Sequence, residues 1–150
     1  MLGKPLPPIQ GSDLAARPLE PADLKGKGLL LFFWSLSGGQ YTLTSLPIVQ
    51  QVADQFKHRK DLLVLDVCSD ADEKENVAEL LRRKNVSVPT LLDQDRHLAR
   101  NLQLAGEPTF LVVGPDGLVK WAKLGAPESL KNDLVREIEK MLSKPTGGRP

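Results

Sequence analysis

Continuous apolar runs and helix-spaced apolar positions follow one another along the chain. The run "LLLFF", Leu29 to Phe33, has no polar position and follows glycine, which is typical of a strand covered on both faces. "DLLVLDV", Asp61 to Val67, predicts a second buried strand. Between them, "SLPIVQQVADQF" repeats its apolar side chains on one helical face. We place Pro47 in the first turns of that helix, where a missing N–H matters least.

The second half of the chain predicts further helices and a hairpin. "DADEKENVAELLRRKN" predicts a helix that is acidic at its start and basic at its end. Val88 to Asp93 predicts a short strand or an extended segment, and a helix is expected over about 96–103. Two apolar runs around Pro115-Asp116-Gly117 predict a β-hairpin. "PESLKNDLVREIEKML" predicts a closing helix with one apolar face.

The two ends of the chain carry weaker patterns. The first 27 residues are rich in Pro and Gly and predict an extended lead-in with one short turn, Pro21 to Leu24. We expect order from about 3 to 142 and a disordered tail over 143–150. No repeat or boundary divides the 150 residues, so a single domain, 1–150, is expected. The order of elements indicates an α/β fold with a central mixed sheet and helices on both faces.

Composition and charge narrow the classes of partner. The chain is 41% apolar and 26% charged, as in ordinary globular proteins. A net charge of +1 gives no electrostatic argument for nucleic acid or an anionic membrane. The longest apolar run, Gly28 to Trp34, is far short of the roughly 20 residues of a membrane-spanning helix. The N-terminus has no signal-peptide core, which fits a cytosolic protein or a chain trimmed of an export segment.

Few side chains offer redox or metal chemistry. Cys68 is the only cysteine in the sequence, which excludes an intramolecular disulfide and a thiolate-rich metal site. His58 and His97 each lie in charged helical sequence without a second ligand at metal spacing. The sequence therefore implies neither a metal nor a cofactor.

Two long stretches of the chain resemble a known family in order, spacing and local motifs. These are "GKPLPPIQGSDLAARPLEPADLKGKGLLLFFW" and "LLDQDRHLARNLQLAGEPTFLVVGPDG". Together they resemble the membrane-associated thiol–disulfide oxidoreductases of the TlpA/ResA type, over about residues 3–142. The resemblance implies a thioredoxin-like fold with an N-terminal extension. It also suggests an extracytoplasmic, periplasmic or membrane-anchored setting.

The family's chemistry resides in Trp-Cys-x-x-Cys, just after a strand that ends in Phe-Trp. Carried over residue by residue, the Trp falls on Ser37, the first Cys on Gly38 and the second Cys on Tyr41, with Gly39 and Gln40 between them. Dithiol exchange needs an exposed thiolate and a second thiol that resolves the mixed disulfide. Glycine has no nucleophile, and a phenol with a pKa of about 10 cannot replace a thiolate. Dithiol activity is therefore not expected.

The motif "AGEPTF" is the second element that the resemblance carries over. It implies a cis peptide bond before Pro108, in a loop that presents backbone groups to an extended substrate; a plain trans proline is the alternative. Glu107 would lie beside this pocket and either contact a partner or face water. Trp34 could line the pocket and Trp121 could anchor a partner, although we expect both to pack in the core.

Cys68 follows the second predicted strand, near the strand ends where α/β folds place their sites. The start of the next helix would lower the pKa of its thiol. Four nearby carboxylates would raise it by like-charge repulsion: Asp66, Asp70, Asp72 and Glu73. We expect Cys68 to be an inert, buried apolar residue.

The sequence leaves several functions open. We expect a monomeric protein- or peptide-binding module that uses a groove between the Ser37–Tyr41 turn and the Pro108 loop. One alternative is a monothiol exchanger, in which an external thiol resolves a mixed disulfide at Cys68. Another is a cysteine-substituted form of an active dithiol oxidoreductase. A third is a structural adaptor that uses its helix faces.

Overall fold

A mixed five-stranded sheet forms the centre of the molecule. The computed structural model describes residues 1–9 and 11–143. The strands are β1 Gly11–Ser12, β2 Pro18–Leu19, β3 Gly28–Trp34, β4 Leu62–Cys68, β5 Thr90–Leu92, β6 Thr109–Val113 and β7 Val119–Leu124. The helices are α1 Pro21–Leu24, α2 Gly39–Gln55, α3 Lys74–Arg83, α4 His97–Asn101 and α5 Leu130–Ser143. Strands β1 and β2 form a separate antiparallel ribbon, and the large sheet has the order β5-β4-β3-β6-β7.

The sheet is parallel on one side of β3 and antiparallel on the other. Strand β3 pairs in parallel with β4, and β4 in parallel with β5. Strand β3 pairs antiparallel with β6, which forms the predicted hairpin with β7. The hairpin turn contains Gly117 at φ +81°, a conformation that favours glycine. The predicted α/β fold with a mixed sheet is confirmed.

Apolar side chains cover both faces of the sheet. All seven residues of β3 are buried, as its uninterrupted apolar sequence predicts. The apolar sides of α2, α3 and α5 pack on one face. On the other face, α4 and the N-terminal segment pack through residues such as Leu98 and Ile9. Helices therefore lie on both faces, as expected.

The N-terminal extension is docked along the hairpin. The Gly3 amide donates to the Val119 carbonyl at 2.8 Å, and the Leu6 amide donates to the Gly117 carbonyl at 2.8 Å. The short turn predicted at 21–24 is helix α1. Of the tail predicted to be disordered, 143–150, Ser143 ends α5 and the other residues lie outside the described part of the chain.

Helix α2 begins earlier than the sequence pattern indicates. It starts at Gly39 and not near Ser45, so Pro47 lies in the helix interior and not in its first turns. The glycine pair at 38–39 resembles a loop in sequence, because glycine is a weak helix former. In the structure, Gly39 adopts φ +71° and continues directly into the helix. The prediction that Pro47 lies in the first turns of the helix was therefore wrong, because α2 already begins at Gly39.

Candidate functional site

The turn after β3 and the loop before β6 leave the sheet side by side. Phe33 of β3 is the register partner of Thr109 of β6, so the chain segments beyond these two residues meet at one edge. The Glu107–Pro108 peptide bond is cis, as the resemblance implied. The Pro108 carbonyl accepts the Gly125 amide at 2.9 Å, which fixes the loop to the end of β7.

Hydrogen bonds hold the turn that occupies the position of the family's redox motif. Leu36–Gly38 forms one turn of 3-10 helix, and the Gly38 amide donates to the Ser35 carbonyl at 3.1 Å. The Leu36 amide donates to Asp70 Oδ2 at 2.6 Å, which ties the turn to the segment after β4. The predicted site residues Ser37, Gly39, Gln40 and Tyr41 are exposed, and Tyr41 has an exposed fraction of 65%. The turn is thus anchored underneath and presents its outer surface to solvent.

Thr42 fills the space that a side chain at position 38 would need. A Cβ built on Gly38 would overlap Thr42 Oγ1 and lie 3.1 Å from Thr42 Cβ. Thr42 is 1% exposed, and its hydroxyl has no hydrogen-bond partner among the described residues. A cysteine at 38 would therefore require Thr42 to move. This pairing of glycine with threonine was not anticipated, because it depends on spatial contact.

Cys68 is buried at the end of β4. It is the last residue of the strand, lies opposite Trp34 of β3 and is 0% exposed. Burial is the main cause that raises the pKa of its thiol far above the ordinary value, and the negative charges of Asp70 and Glu107 add to it. Its Sγ lies 3.6 Å from Asp70 Oδ2. The predicted burial is confirmed.

The predicted cause of the Cys68 pKa shift needs correction. The sequence attributed the raised pKa to four like-charged neighbours, whereas removal of the thiol from water dominates. Of the four, only Asp70 is among the causes of the shift; Asp66, Asp72 and Glu73 are not. Cys68 has no exposed surface from which to attack a disulfide.

The two tryptophans pack in the protein. Trp34 is 0% exposed, and its ring stacks on Phe32 with the centroids 6.4 Å apart. Because a partner cannot reach it without opening the core, Trp34 does not belong to the exposed surface of the candidate site. Trp121 is half-buried against the core on β7.

An ion pair lies beside the cis-proline loop. Glu107 Oε2 is 4.0 Å from Arg96 Nη2, and the Glu107 side chain is 14% exposed. Arg96 precedes α4 with φ +54°, a left-handed conformation that is uncommon outside glycine. Glu107 therefore neither points freely into water nor offers an unpaired charge. The sequence did not connect these two residues.

Asp66 is a buried carboxylic acid that the sequence did not distinguish from its exposed neighbours. It lies in β4 opposite Phe32, is 0% exposed, and neither carboxyl oxygen has a hydrogen-bond partner among the described residues. Burial raises its pKa well above the ordinary value. Its only sequence signal was its place within an apolar run.

Potential metal ligands do not cluster in the described part of the chain. Within 1–9 and 11–143, no three His, Cys, Asp or Glu side chains are grouped as metal ligands. Over the same ranges, no helix has both the length and the apolarity of a membrane span.

Comparison with known proteins agrees with this geometry. The profile of the AhpC/TSA family matches residues 2–122. Thiol-disulfide oxidoreductase ResA of Bacillus subtilis (strain 168) is 29% identical over 139 residues, covering 91% of this chain and 75% of the relative. ResA of Bacillus anthracis is 25% identical over 141 residues, with 93% and 78% covered.

Solved structures share the fold at lower identity. A thioredoxin-family thiol:disulfide interchange protein from Chlorobium tepidum TLS superposes with a TM-score of 0.79 at 18% identity, covering 95% of this chain and 99% of that chain. A secreted disulfide oxidoreductase of Mycobacterium tuberculosis superposes with a TM-score of 0.75 at 19% identity, covering 88% and 95%. The chain belongs to the AhpC/TSA family and is a thioredoxin-fold relative of the ResA-type thiol–disulfide oxidoreductases that lacks both cysteines of their motif.

Proposed function

We propose that this protein is a non-catalytic, monomeric binding module that holds an extended peptide or protein segment at the Ser37–Tyr41 turn and the Pro108 loop. The observation that carries the proposal is the retained pairing of an anchored, exposed turn with a cis-proline loop, at a position where both sulfurs are absent. Backbone groups beside an extended peptide can pair with it without a thiol, so loss of the reaction does not remove the means of binding.

The surface of the turn suits close approach of a partner chain. Gly39 has open space at its Cβ position, so no side chain blocks the backbone there. Tyr41 adds a large exposed aromatic ring with a hydroxyl group, a residue type enriched at binding hot spots. Glu107 is already paired with Arg96, so we expect recognition to depend on shape and backbone hydrogen bonds more than on its charge.

The alternatives receive less support from the structure. A monothiol mechanism needs an accessible, acidic thiol, whereas Cys68 is fully buried and its pKa is raised. A cysteine-substituted form of an active enzyme should keep room for the replaced side chain, whereas a Cβ at Gly38 would require the Thr42 hydroxyl to turn away and Thr42 to shift slightly. We therefore propose that the absence of the motif is native to this fold.

Selection of peptides from a random display library on the immobilised protein tests the proposal. Tyr41→Ala should weaken the selected peptides about tenfold, because a hot-spot aromatic contributes about 1–2 kcal/mol or more. Leu2→Ala is the matched control, because Leu2 is also a large exposed apolar residue, at 63%, but lies next to Gly3, which is bonded to Val119 at the start of β7. Equal losses in the two variants, or failure to select any peptide, would contradict the proposed site.

The setting of the protein is a second part of the proposal. The resemblance to TlpA/ResA-type proteins supports an extracytoplasmic location. Expression of the full-length gene product in its own cells, followed by protease accessibility of intact cells and spheroplasts, tests this. Digestion only after cell lysis would contradict an extracytoplasmic location and leave the binding proposal to be judged by the peptide experiment.

A further inference from the structure

A second concave surface lies at the opposite end of the sheet from the candidate site. It is a groove of about 440 Å³ between the N-terminal segment, α1 and the β6–β7 turn. Its floor includes Leu29 at the start of β3 and Val113 at the end of β6, so the length of a seven-residue strand, about 20 Å, separates it from the Ser37–Tyr41 turn. The groove therefore cannot be part of the site described above.

The walls of the groove are apolar and rigid. Leu6 and Leu24 line it above the buried floor. Four prolines also line it: Pro7, Pro8, Pro21 and Pro115. Because proline fixes its own backbone, such walls lose little conformational entropy when a ligand binds. The volume falls within the range of about 300–1,000 Å³ that is typical of small-molecule sites.

The charges at the groove are unbalanced. Lys25 and Lys27 both line it, and neither forms an ion pair within the described part of the chain. The one carboxylate among the lining residues, Asp116, is paired with Lys120 at 2.9 Å. The groove thus combines an apolar interior with a net positive rim, which is the complement of an apolar ligand with an anionic end.

We propose that this groove binds a single-chain amphipathic anion. The aliphatic chain would lie on Leu24, Leu29 and Val113, where each methylene removed from water contributes favourably. The anionic head would lie at Lys25 and Lys27, which flank Gly26 in the turn between α1 and β3. No sequence pattern distinguished these lysines, because the net charge of the chain is close to zero.

Titration with dodecanoate below its micelle concentration tests the proposal. Calorimetry measures the affinity, and amide chemical shifts locate the site. We expect saturable binding with the largest shifts at Leu24, Leu29 and Val113. The double variant Lys25→Gln/Lys27→Gln should bind about fivefold to tenfold more weakly, as expected for the loss of two surface charge contacts. Dodecyltrimethylammonium, with the same chain and the opposite charge, should bind at least tenfold more weakly than dodecanoate.

A matched variant separates a built site from general charge attraction. Lys57→Gln/Lys60→Gln removes the same charge from exposed lysines that do not line this groove, and it should leave the affinity for dodecanoate unchanged. Equal weakening in the two double variants, shifts centred on the Ser37–Tyr41 turn, or no saturation would each overturn the proposal. Thermal unfolding of both variants verifies that the fold is intact.

Discussion

Asp66 provides a quantitative test of the core beneath the candidate site. Its carboxyl is fully buried without a hydrogen-bond partner in the described residues, and burial raises its pKa well above the ordinary value. In the unfolded chain the group titrates near 3.9. The folded protein therefore keeps a proton that the unfolded chain releases as the pH rises, so unfolding becomes more favourable with increasing pH.

The size of this effect follows from proton linkage. Below about pH 3.9 both states are protonated, and the contribution of Asp66 to stability is fully present. Between that pH and the raised pKa of the folded state, each pH unit removes about 1.4 kcal/mol from the free energy of unfolding. Asp66→Asn removes the titration and nearly keeps the size of the side chain. Relative to the parent, the variant should therefore gain about 1.4 kcal/mol of stability per pH unit as the pH rises from the unfolded pKa toward the raised pKa of the folded state.

Urea unfolding of the parent and the Asp66→Asn variant at constant ionic strength measures this difference at each pH. In the difference between the two free energies of unfolding, the contributions of the titrating groups that both proteins share cancel. Asp61→Asn serves as a control of opposite sign, because Arg59 lowers the pKa of Asp61. The exposed pair therefore contributes to stability above the pKa of the unfolded chain, and this contribution is lost as the pH falls. Its effect should be much smaller than that of Asp66→Asn, because solvent screens the pair.

A pH-independent difference between the parent and Asp66→Asn would refute this reasoning. It would mean that the carboxyl keeps the same protonation on folding, through a partner or solvent access that its burial does not indicate. A constant offset between the proteins, added to the expected pH dependence, would not refute it, because the buried Asn amide carries its own cost of desolvation at every pH.

Three further predictions concern the region around the turn. Cys68 should react with iodoacetamide about a hundredfold or more slowly in the native protein than in urea, since burial and its raised pKa both suppress attack; comparable rates would contradict its inert role. The double variant Gly38→Cys/Tyr41→Cys should reduce insulin about tenfold more slowly than the triple variant that also carries Thr42→Ala, because the alanine clears the space at position 38. Equal rates would show that Thr42 is no obstacle. Asp70→Ala should lower the free energy of unfolding by about 1–2 kcal/mol and speed amide hydrogen exchange in the turn, because the Asp70 carboxylate accepts the Leu36 amide. An unchanged exchange rate would exclude an anchoring role for Asp70.

The sequence predicted those parts of the fold that follow from local patterns. Strand β3 and the β6–β7 hairpin were predictable because their apolar runs and the turn at Gly117 are local signals. The start of α2 was not, since a glycine pair carries almost no information on whether the chain turns or enters a helix. The pairing of Arg96 with Glu107 also escaped prediction, because it depends on a left-handed turn before α4 that no local pattern indicates.

The candidate site was predictable by position and only partly by environment. The resemblance located the turn and Pro108 from their place relative to β3 and β6, and the register between Phe33 and Thr109 places both at one edge. It could not reveal that Thr42 occupies the space at Gly38. Nor could it distinguish Asp66 from exposed carboxylates, because burial depends on which helices cover β4.

The structure opposes thiol chemistry through features that are independent of one another. Gly38 and Tyr41 supply no sulfur, a Cβ at position 38 would meet the Thr42 side chain, and Cys68 is buried with a raised pKa. Restoring one feature therefore leaves the others in place. The turn is anchored by the Leu36 amide, which donates to the Asp70 carboxylate, and the Pro108 carbonyl accepts the Gly125 amide; neither bond requires a sulfur atom. The binding surface that we propose and the family's sulfur chemistry thus rest on different groups of atoms, so the loss of the sulfurs does not by itself remove the proposed surface.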